Sequence, residues 1–133
     1  YFEKAIELIL ATRLELRYSK DKILELYTAH APFGGNVVGL EMASWRYFGL
    51  KPNQLSWSES ATLAVLPNAP SLIFPGKNQL LLLKKRNNLL LKLKINGIID
   101  AETYKLALAE PLVGKPFPLP ELAPHLVEKI AKT

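Results

Sequence analysis

Cysteine is absent from this chain of 133 residues. Its absence excludes disulfide frameworks, zinc ribbons and thiol catalysis, but it leaves the cellular compartment open. Long apolar runs are absent too, because no uninterrupted stretch reaches the roughly 18–20 residues that a transmembrane helix needs. The N-terminus also lacks the basic, apolar and small-residue zones of a signal peptide. Any export signal is therefore expected outside this chain.

Acidic residues are fewer than basic ones, which gives a formal net charge of +5 and an isoelectric point near 9.5. This balance favours an anionic partner such as a phosphate, a nucleic acid or an acidic membrane surface, without choosing among them. About half of the residues are apolar, so the chain can bury the core of one domain or part of one. Because Tyr1 is not methionine and the helical pattern is under way by Glu3, we expect a piece of a longer protein.

The apolar residues recur at helical spacing, which predicts an all-α fold without a sheet of three or more strands. Ser19, Ser56 with Glu59, and Asp100 are predicted helix N-caps, and Gly97 is a predicted C-terminal cap. The predicted helices cover residues 3–17, 20–27, 37–48, a short stretch between 56 and 67, 79–96 and 101–109.

Five prolines between Pro111 and Pro124 predict an extended strap, followed by a short terminal helix. We therefore expect residues 1–110 to form the helical domain. Residues 111–133 are expected to form the strap and terminal helix that lead to a further domain.

Lys4 and Glu7 are three residues apart, so they share one face of the first helix. An ammonium beside a carboxylate can bind a phosphate or stabilise developing charge. Spacing alone equally fits a solvated surface pair. The sequence Ser19-Lys20-Asp21-Lys22 has the S-x-x-K pattern of serine acyl enzymes, but no S-x-N or K-T-G segment accompanies it, so a helix cap explains Ser19 better.

The two histidines, His30 and His125, are far apart in sequence, so the pattern does not favour a metal site built on them. The cluster Lys84-Lys85-Arg86 fits either contact with a phosphate or anionic membrane, or a solvated helix face.

Three segments together, 4–7, 18–27 and 85–90, resemble in order and spacing the family 51 glycosyltransferase domain of class A penicillin-binding proteins. The linking segments 31–36, 43–49, 63–71 and 120–125 are similar to the 1C type of that family. The resemblance implies the C-terminal part of a lysozyme-like helical fold with a membrane-facing lobe. It also implies a reaction that joins lipid-linked disaccharide-pentapeptide units into glycan strands with loss of a polyprenyl diphosphate.

The resemblance also implies roles for individual residues. Glu7 matches a catalytic glutamate on the leaving-group side, and Lys4 and Lys20 match lysines expected near the diphosphate. Glu25 matches a structural carboxylate that we expect to be buried beside a charged partner, and Arg86 matches an arginine that holds the helical scaffold. A divalent cation, Mg²⁺ or Mn²⁺, is allowed by the resemblance, bound with the diphosphate and contacted by Glu7.

Three departures from the family pattern stand out. Glu3 replaces the usual arginine, Thr28-Ala29 replace the usual Leu-Asn, and Lys85 replaces an arginine. The family's first motif, E-D-x-x-F-x-x-H, carries the general base, and it would lie before Tyr1 together with the second motif. The chain alone is therefore expected to be inactive.

The implied partners are the lipid-linked precursor, the growing glycan strand, an anionic membrane surface and other cell-wall synthesis proteins, without nucleic acid. The implied location is the periplasmic face of the bacterial cytoplasmic membrane, with an anchor in a preceding segment. Another class of function also fits the residues. It is a non-catalytic helical module that binds the precursor, an anionic membrane, a partner protein or, on charge alone, nucleic acid.

Overall fold

The chain is all-helical over residues 1–118, the part that its computed structural model describes. Two short 3₁₀ turns accompany the α-helices, and within this part the β contacts are two isolated bridges, Pro32–Val38 and Phe74–Lys77. The prediction of an all-α fold is therefore confirmed. The six helices are α1 (Phe2–Arg17), α2 (Lys20–His30), α3 (Leu40–Phe48), α4 (Trp57–Val65), α5 (Gln79–Ile95) and α6 (Ala101–Ala109).

The predicted helix caps are present in the structure. Ser19 and Asp100 each accept a hydrogen bond from a backbone N–H in the first turn of their helix, and this bond lowers the pKa of the Asp100 carboxyl. Ser56 and Glu59 form the reciprocal capping box of α4. Gly97 follows α5 with a positive φ of 71°, as a C-terminal glycine does.

Two helix boundaries differ from the predicted ones. α2 continues to His30, because the first residue that must leave helical geometry is the one before Pro32. α3 begins at Leu40 rather than at Val37. Gly39 has a φ of 89°, which no residue inside a right-handed helix adopts, so the apolar residues before it belong to a loop.

The buried residues form two clusters around α4 and α5, the pair of helices that packs most extensively. The first cluster joins α3, α4, the first turn of α5 and the loops beside them, and the second joins α4, α5 and α6. Neither α1 nor α2 contains a buried residue. The largest apolar members are Phe33, Tyr47, Leu63, Leu66, Ile73 and Leu82 in the first cluster, and Leu90 and Ile99 in the second.

Tyr47 closes the loop that connects α2 and α3. Its hydroxyl oxygen lies 3.0 Å from the carbonyl oxygen of Phe33 and 2.9 Å from that of Gly34, and the side chain is buried. Burial raises the pKa of Tyr47 to about 12, an effect that the nearby positive charge of Arg46 opposes.

This shifted pKa predicts a pH-dependent contribution to stability. Because the tyrosine pKa is raised in the folded state, its contribution is complete below the ordinary value of 10.0 and is lost as the pH rises toward about 12. We expect the loss to reach about 2–3 kcal/mol. Urea unfolding of the wild type and Tyr47→Phe at several pH values checks this. A constant difference between them from pH 10.0 to about 12 would contradict it.

The segment after α6 has no regular structure through residue 118, as the prolines predict, and it lies against the helices. The Gln79 side-chain amide donates a hydrogen bond of 2.9 Å to the Val113 carbonyl, and the Phe117 N–H donates one of 2.7 Å to the Arg46 carbonyl. The remaining prolines of the strap, His125 and the predicted terminal helix lie outside the described residues. The domain limits at 1–110 and 111–133 stay a prediction.

Candidate active site

Lys4 and Glu7 lie on one face of α1, as their spacing predicts. The Lys4 Nζ is 2.8 Å from the Glu7 Oε2, and the two side chains are 82% and 64% exposed. An exposed pair of this kind contributes only a few tenths of a kcal/mol to stability. Its exposure leaves both charged groups open to a large anionic ligand.

Glu3 changes the charge around this pair. It lies in the first turn of α1, where a carboxylate interacts favourably with the helix dipole. The presence of an acidic residue at this position therefore stabilises the helix. Two carboxylates and one ammonium give Glu3, Lys4 and Glu7 a net charge of −1. Lys4 alone therefore does not make this end of α1 electropositive, and a diphosphate bound here needs further cations.

Lys20 and Glu25 are both on α2, which begins after the two residues that follow α1. Lys20 is the first residue of α2 and is exposed. The expectation that Glu25 is buried is wrong, because its side chain is 67% exposed on a helix without buried residues. Its carboxylate is 3.0 Å from the Lys22 Nζ one turn earlier, so the S-x-x-K lysine pairs with Glu25 while Ser19 caps the helix.

Arg86 is only 1% exposed, so its guanidinium lies inside the protein. It joins α4, α5 and the end of α6, and burial lowers its pKa while the carboxylate of Glu110 opposes that shift. That Arg86 holds the helical scaffold together stays a prediction, which the substitution Arg86→Ala tests. The guanidinium donates to the Ser58 hydroxyl at 3.0 Å, the Glu110 carbonyl at 2.8 Å, the Leu108 carbonyl at 3.5 Å and the Asn87 side-chain oxygen at 3.0 and 3.1 Å.

The burial of Arg86 separates the basic cluster of residues 84–86 into different environments. Lys84 is exposed and Lys85 is partly buried. The three cations therefore do not form one phosphate-binding patch.

An open groove of about 1150 Å³ lies between α2 and α3. The sequence analysis did not predict this groove, although Gly39 indicates the close approach of α2 and α3 beside it. A Cβ at Gly39 would lie 2.8 Å from the Ala29 carbonyl oxygen, so only glycine allows this close approach of the two helices. The lining residues are Glu25, Thr28, Ala29, Val38, Gly39, Leu40, Glu41, Met42, Trp45 and Pro52.

The walls of the groove are mostly apolar, and its charged lining residues, Glu25 and Glu41, are both acidic. Such a groove repels a diphosphate and suits an apolar or cationic group. Neither Lys4, Glu7 nor Lys20 lines it. The departure at Thr28-Ala29 falls in this groove, where Ala29 leaves more space than the usual asparagine would.

The residues available to hold a cation at Glu7 are few. No group of three or more His, Cys, Asp or Glu side chains lies close enough together within residues 1–118 to hold a metal ion. Mg²⁺ requires near-octahedral oxygen ligation, and one or two carboxylates can hold it only when substrate phosphates complete the set. These protein residues alone therefore do not form a complete cation site.

None of the helices within residues 1–118 has the length and apolar character to cross a membrane.

The fold and the motif residues together agree with one protein family. The family model described as transglycosylase matches residues 1–94, and the chain belongs to that family. Among its relatives, penicillin-binding protein 1C of Escherichia coli K12 is 42% identical over 114 residues, which are 86% of this chain and 15% of that protein. Penicillin-binding protein 1B of the same organism is 37% identical over 120 residues, or 87% of this chain and 14% of the relative.

A solved structure shows the same fold. The chain is similar to the crystal structure of penicillin-binding protein 1A from Haemophilus influenzae, with a TM-score of 0.71 and 32% sequence identity. The match covers 86% of this chain and 17% of that one. The chain therefore spans only about a sixth of the length of such relatives.

Proposed function

We propose that this chain forms part of a peptidoglycan glycosyltransferase that polymerises lipid-linked disaccharide-pentapeptide precursor into glycan strands. The observation that carries this proposal is the Lys4–Glu7 pair at 2.8 Å, exposed on the first helix of the segment that matches the transglycosylase family. A bond forms between an acceptor hydroxyl and the donor sugar, and the bond to the polyprenyl diphosphate breaks. Negative charge therefore develops on the departing diphosphate.

In this mechanism Lys4 stabilises the charge of the leaving diphosphate. Glu7 acts on the same side, because its carboxylate at 2.8 Å holds the Lys4 ammonium in place. Lys20 begins α2, beyond the far end of α1 and about 20 Å of helix away from Lys4, so it does not offset Glu3; its proposed contact with the precursor's diphosphate rests on the motif alone. The proton of the attacking hydroxyl goes to the general base that the family carries in its first motif.

A divalent cation, Mg²⁺ or Mn²⁺, would neutralise part of the diphosphate charge, with Glu7 as one ligand and substrate oxygens as others. The steps proposed for Lys4, Glu7 and Lys20 do not depend on it.

The location and partners of the chain follow from the same proposal. Similarity to penicillin-binding proteins supports an enzyme at the periplasmic face of the bacterial cytoplasmic membrane, anchored by a segment outside this chain. The proposed partners are the lipid-linked precursor, the growing glycan strand, the anionic membrane surface and other cell-wall synthesis proteins.

Glu7→Gln should lower turnover about 100-fold in a working enzyme while leaving precursor binding within a few-fold, because it removes the charge that fixes Lys4 in the transition state. Lys4→Ala should lower turnover and also weaken precursor binding, since the diphosphate is charged before and during the reaction. The measurement is glycan synthesis from lipid-linked precursor by a chimera in which this chain replaces the matching segment of the Escherichia coli 1C protein.

Glu15→Gln is the matched control, because it removes an exposed carboxylate from the same helix and should leave turnover unchanged. The free energy of unfolding of Glu7→Gln should differ from wild type by less than about 0.5 kcal/mol. Unchanged turnover in a folded Glu7→Gln chimera would show that the pair is only a surface pair. A chimera that binds precursor but never polymerises it would favour the non-catalytic module instead.

A further inference from the structure

The strap that follows α6 is fixed at the end of α3. It passes the start of α5, where the Gln79 side-chain amide donates a hydrogen bond of 2.9 Å to the Val113 carbonyl. It then reaches α3, where the Phe117 N–H donates one of 2.7 Å to the Arg46 carbonyl. Carbonyls in the last turn of a helix have no partner within the helix, so the strap supplies a donor that the end of α3 needs.

The ring of Phe117 makes a second contact at the same place. A Cβ added to Gly49 would lie 3.3 Å from the Cζ and 3.4 Å from the Cε2 of this ring, so the ring lies against the glycine that ends α3. Trp45 and Pro52, on either side of Gly49 in sequence, line the groove between α2 and α3. The strap therefore brings the chain to the end of α3 that borders this groove.

The groove is open within the described part of the chain, although its wall on the side of α3 is apolar. Val38 is 57% exposed, Met42 49% and Trp45 38%. Single exposed apolar side chains are ordinary on soluble proteins, whereas several that line one groove mark a surface where another element docks.

The sequence after the strap, residues 119–133, has the apolar pattern that such a groove accepts. At 100° per residue, Leu126, Val127 and Ile130 fall within an arc of about 100° on the predicted terminal helix. The nine residues after Pro124 would form a helix of about 13.5 Å, which equals the length of the nine-residue α3.

The charge of the groove favours the same occupant. Glu41 lines it and forms no ion pair within the described part of the chain, whereas Glu25 on the other wall is 3.0 Å from the Lys22 ammonium. Lys129 and Lys132 lie to one side of the apolar arc of the predicted helix. They supply the positive charge that complements an acidic groove.

The connection to the groove is long enough. Five residues, 119–123, lie between the strap and Pro124, and an extended chain of five residues spans up to about 17 Å. This exceeds the length of α3, about 13.5 Å. Because the segment is tethered, its effective concentration at the groove is in the millimolar range, so an interaction that is weak between separate molecules is sufficient.

We propose that residues 124–133 occupy the groove between α2 and α3 and run antiparallel to α3. An amphipathic helix that lays its apolar face into an apolar groove is a recurrent mode of protein recognition. Because the strap arrives at the end of the groove beside Trp45, Leu126 packs toward Trp45 and Ile130 toward Val38 at the opposite end.

The first test uses Trp45 as a reporter of the groove. In the background Trp57→Phe it is the single tryptophan of the chain. We expect acrylamide to quench its fluorescence about threefold faster after Leu126→Ser/Ile130→Ser, because these substitutions remove the apolar contacts that cover the ring.

Leu80→Ser/Ile95→Ser is the matched control, because it makes the same two changes at side chains that are 85% and 74% exposed on α5. It should leave the quenching rate unchanged. Equal quenching in the wild type and in Leu126→Ser/Ile130→Ser would mean that the segment does not cover the groove, and this would overturn the proposal.

The second test uses the absence of cysteine from the chain, which lets an introduced pair report one contact. In Val38→Cys/Ile130→Cys we expect an intramolecular disulfide that forms at least about tenfold faster than in Leu106→Cys/Ile130→Cys. Leu106 is the control position, because it is 68% exposed on α6 and does not line the groove. Equal rates for the two pairs would contradict the proposal.

Two other occupants of the groove give different results with the same cysteine pair. A second copy of the chain would give disulfides between copies, with a yield that rises with protein concentration. The preceding part of the family's domain would exclude the segment, so the disulfide would form in the 133-residue chain but not in a cysteine-free chimera with the Escherichia coli 1C protein that carries the pair. Either result would overturn the proposal. Neither measurement depends on the transfer reaction, so this proposal and the proposed function can fail independently.

Discussion

Arg86→Ala should lower the free energy of unfolding by about 3–5 kcal/mol. The substitution removes a guanidinium that is 1% exposed and leaves the Ser58 hydroxyl and the Leu108 and Glu110 carbonyls without their donor. It also opens a cavity between α4, α5 and α6. Urea denaturation followed by circular dichroism measures the change.

Two variants test the cause of this loss. Lys84→Ala removes an exposed cation from the same helix and should cost no more than about 0.5 kcal/mol. Arg86→Met keeps most of the volume but none of the donors, so it should recover only the cavity part of the loss. A loss below about 1 kcal/mol for Arg86→Ala would mean that the guanidinium does not hold the three helices together.

Gly34→Ala should cost about 3 kcal/mol or more, the second of the two largest effects. Gly34 has a φ of 82°, and a Cβ there would lie 2.6 Å from the Phe74 Cβ and 2.9 Å from the Pro70 carbonyl oxygen. Both contacts are too short for a real Cβ, and the second is to rigid backbone. The expected result is a strongly lowered urea midpoint with an unchanged slope.

Gly97→Ala is the control for backbone conformation without a clash. Gly97 has a φ of 71°, and nothing lies within 4 Å of an added Cβ. Only the conformational cost of about 1 kcal/mol should remain. If Gly34→Ala and Gly97→Ala cost the same, the close packing of Phe74 on the α2–α3 loop would contribute nothing.

The local features of the fold could be predicted because each depends on neighbours in sequence. The capping serines, Asp100 and Gly97 act within three or four residues of themselves, and the Lys4–Glu7 contact follows from helix geometry. The start of α3 could not be predicted in this way. Val37 continues the helical spacing, and the positive φ of Gly39, at the point where α3 closely approaches the Ala29 carbonyl, keeps it outside the helix.

The candidate site shows the same division between local and long-range information. The spacing of Glu25 resembles a structural motif, but its exposure of 67% depends on what packs on α2, which no local pattern contains. Arg86 looks like one of three neighbouring surface cations until its partners on α4 and after α6 are known. The groove between α2 and α3 is likewise formed by residues that are distant in sequence.

The absence of buried residues in α1 and α2 has a dynamic consequence for the candidate site. Little apolar burial resists local opening of these helices, so their backbone amides should exchange with solvent at a lower opening free energy than those of α4 and α5. The position of Lys4 and Glu7 is then determined by what contacts α1 rather than by the two clusters around α4. Natural variation in those clusters can change global stability without changing the geometry of the charged pair, and this leaves the two properties free to evolve separately.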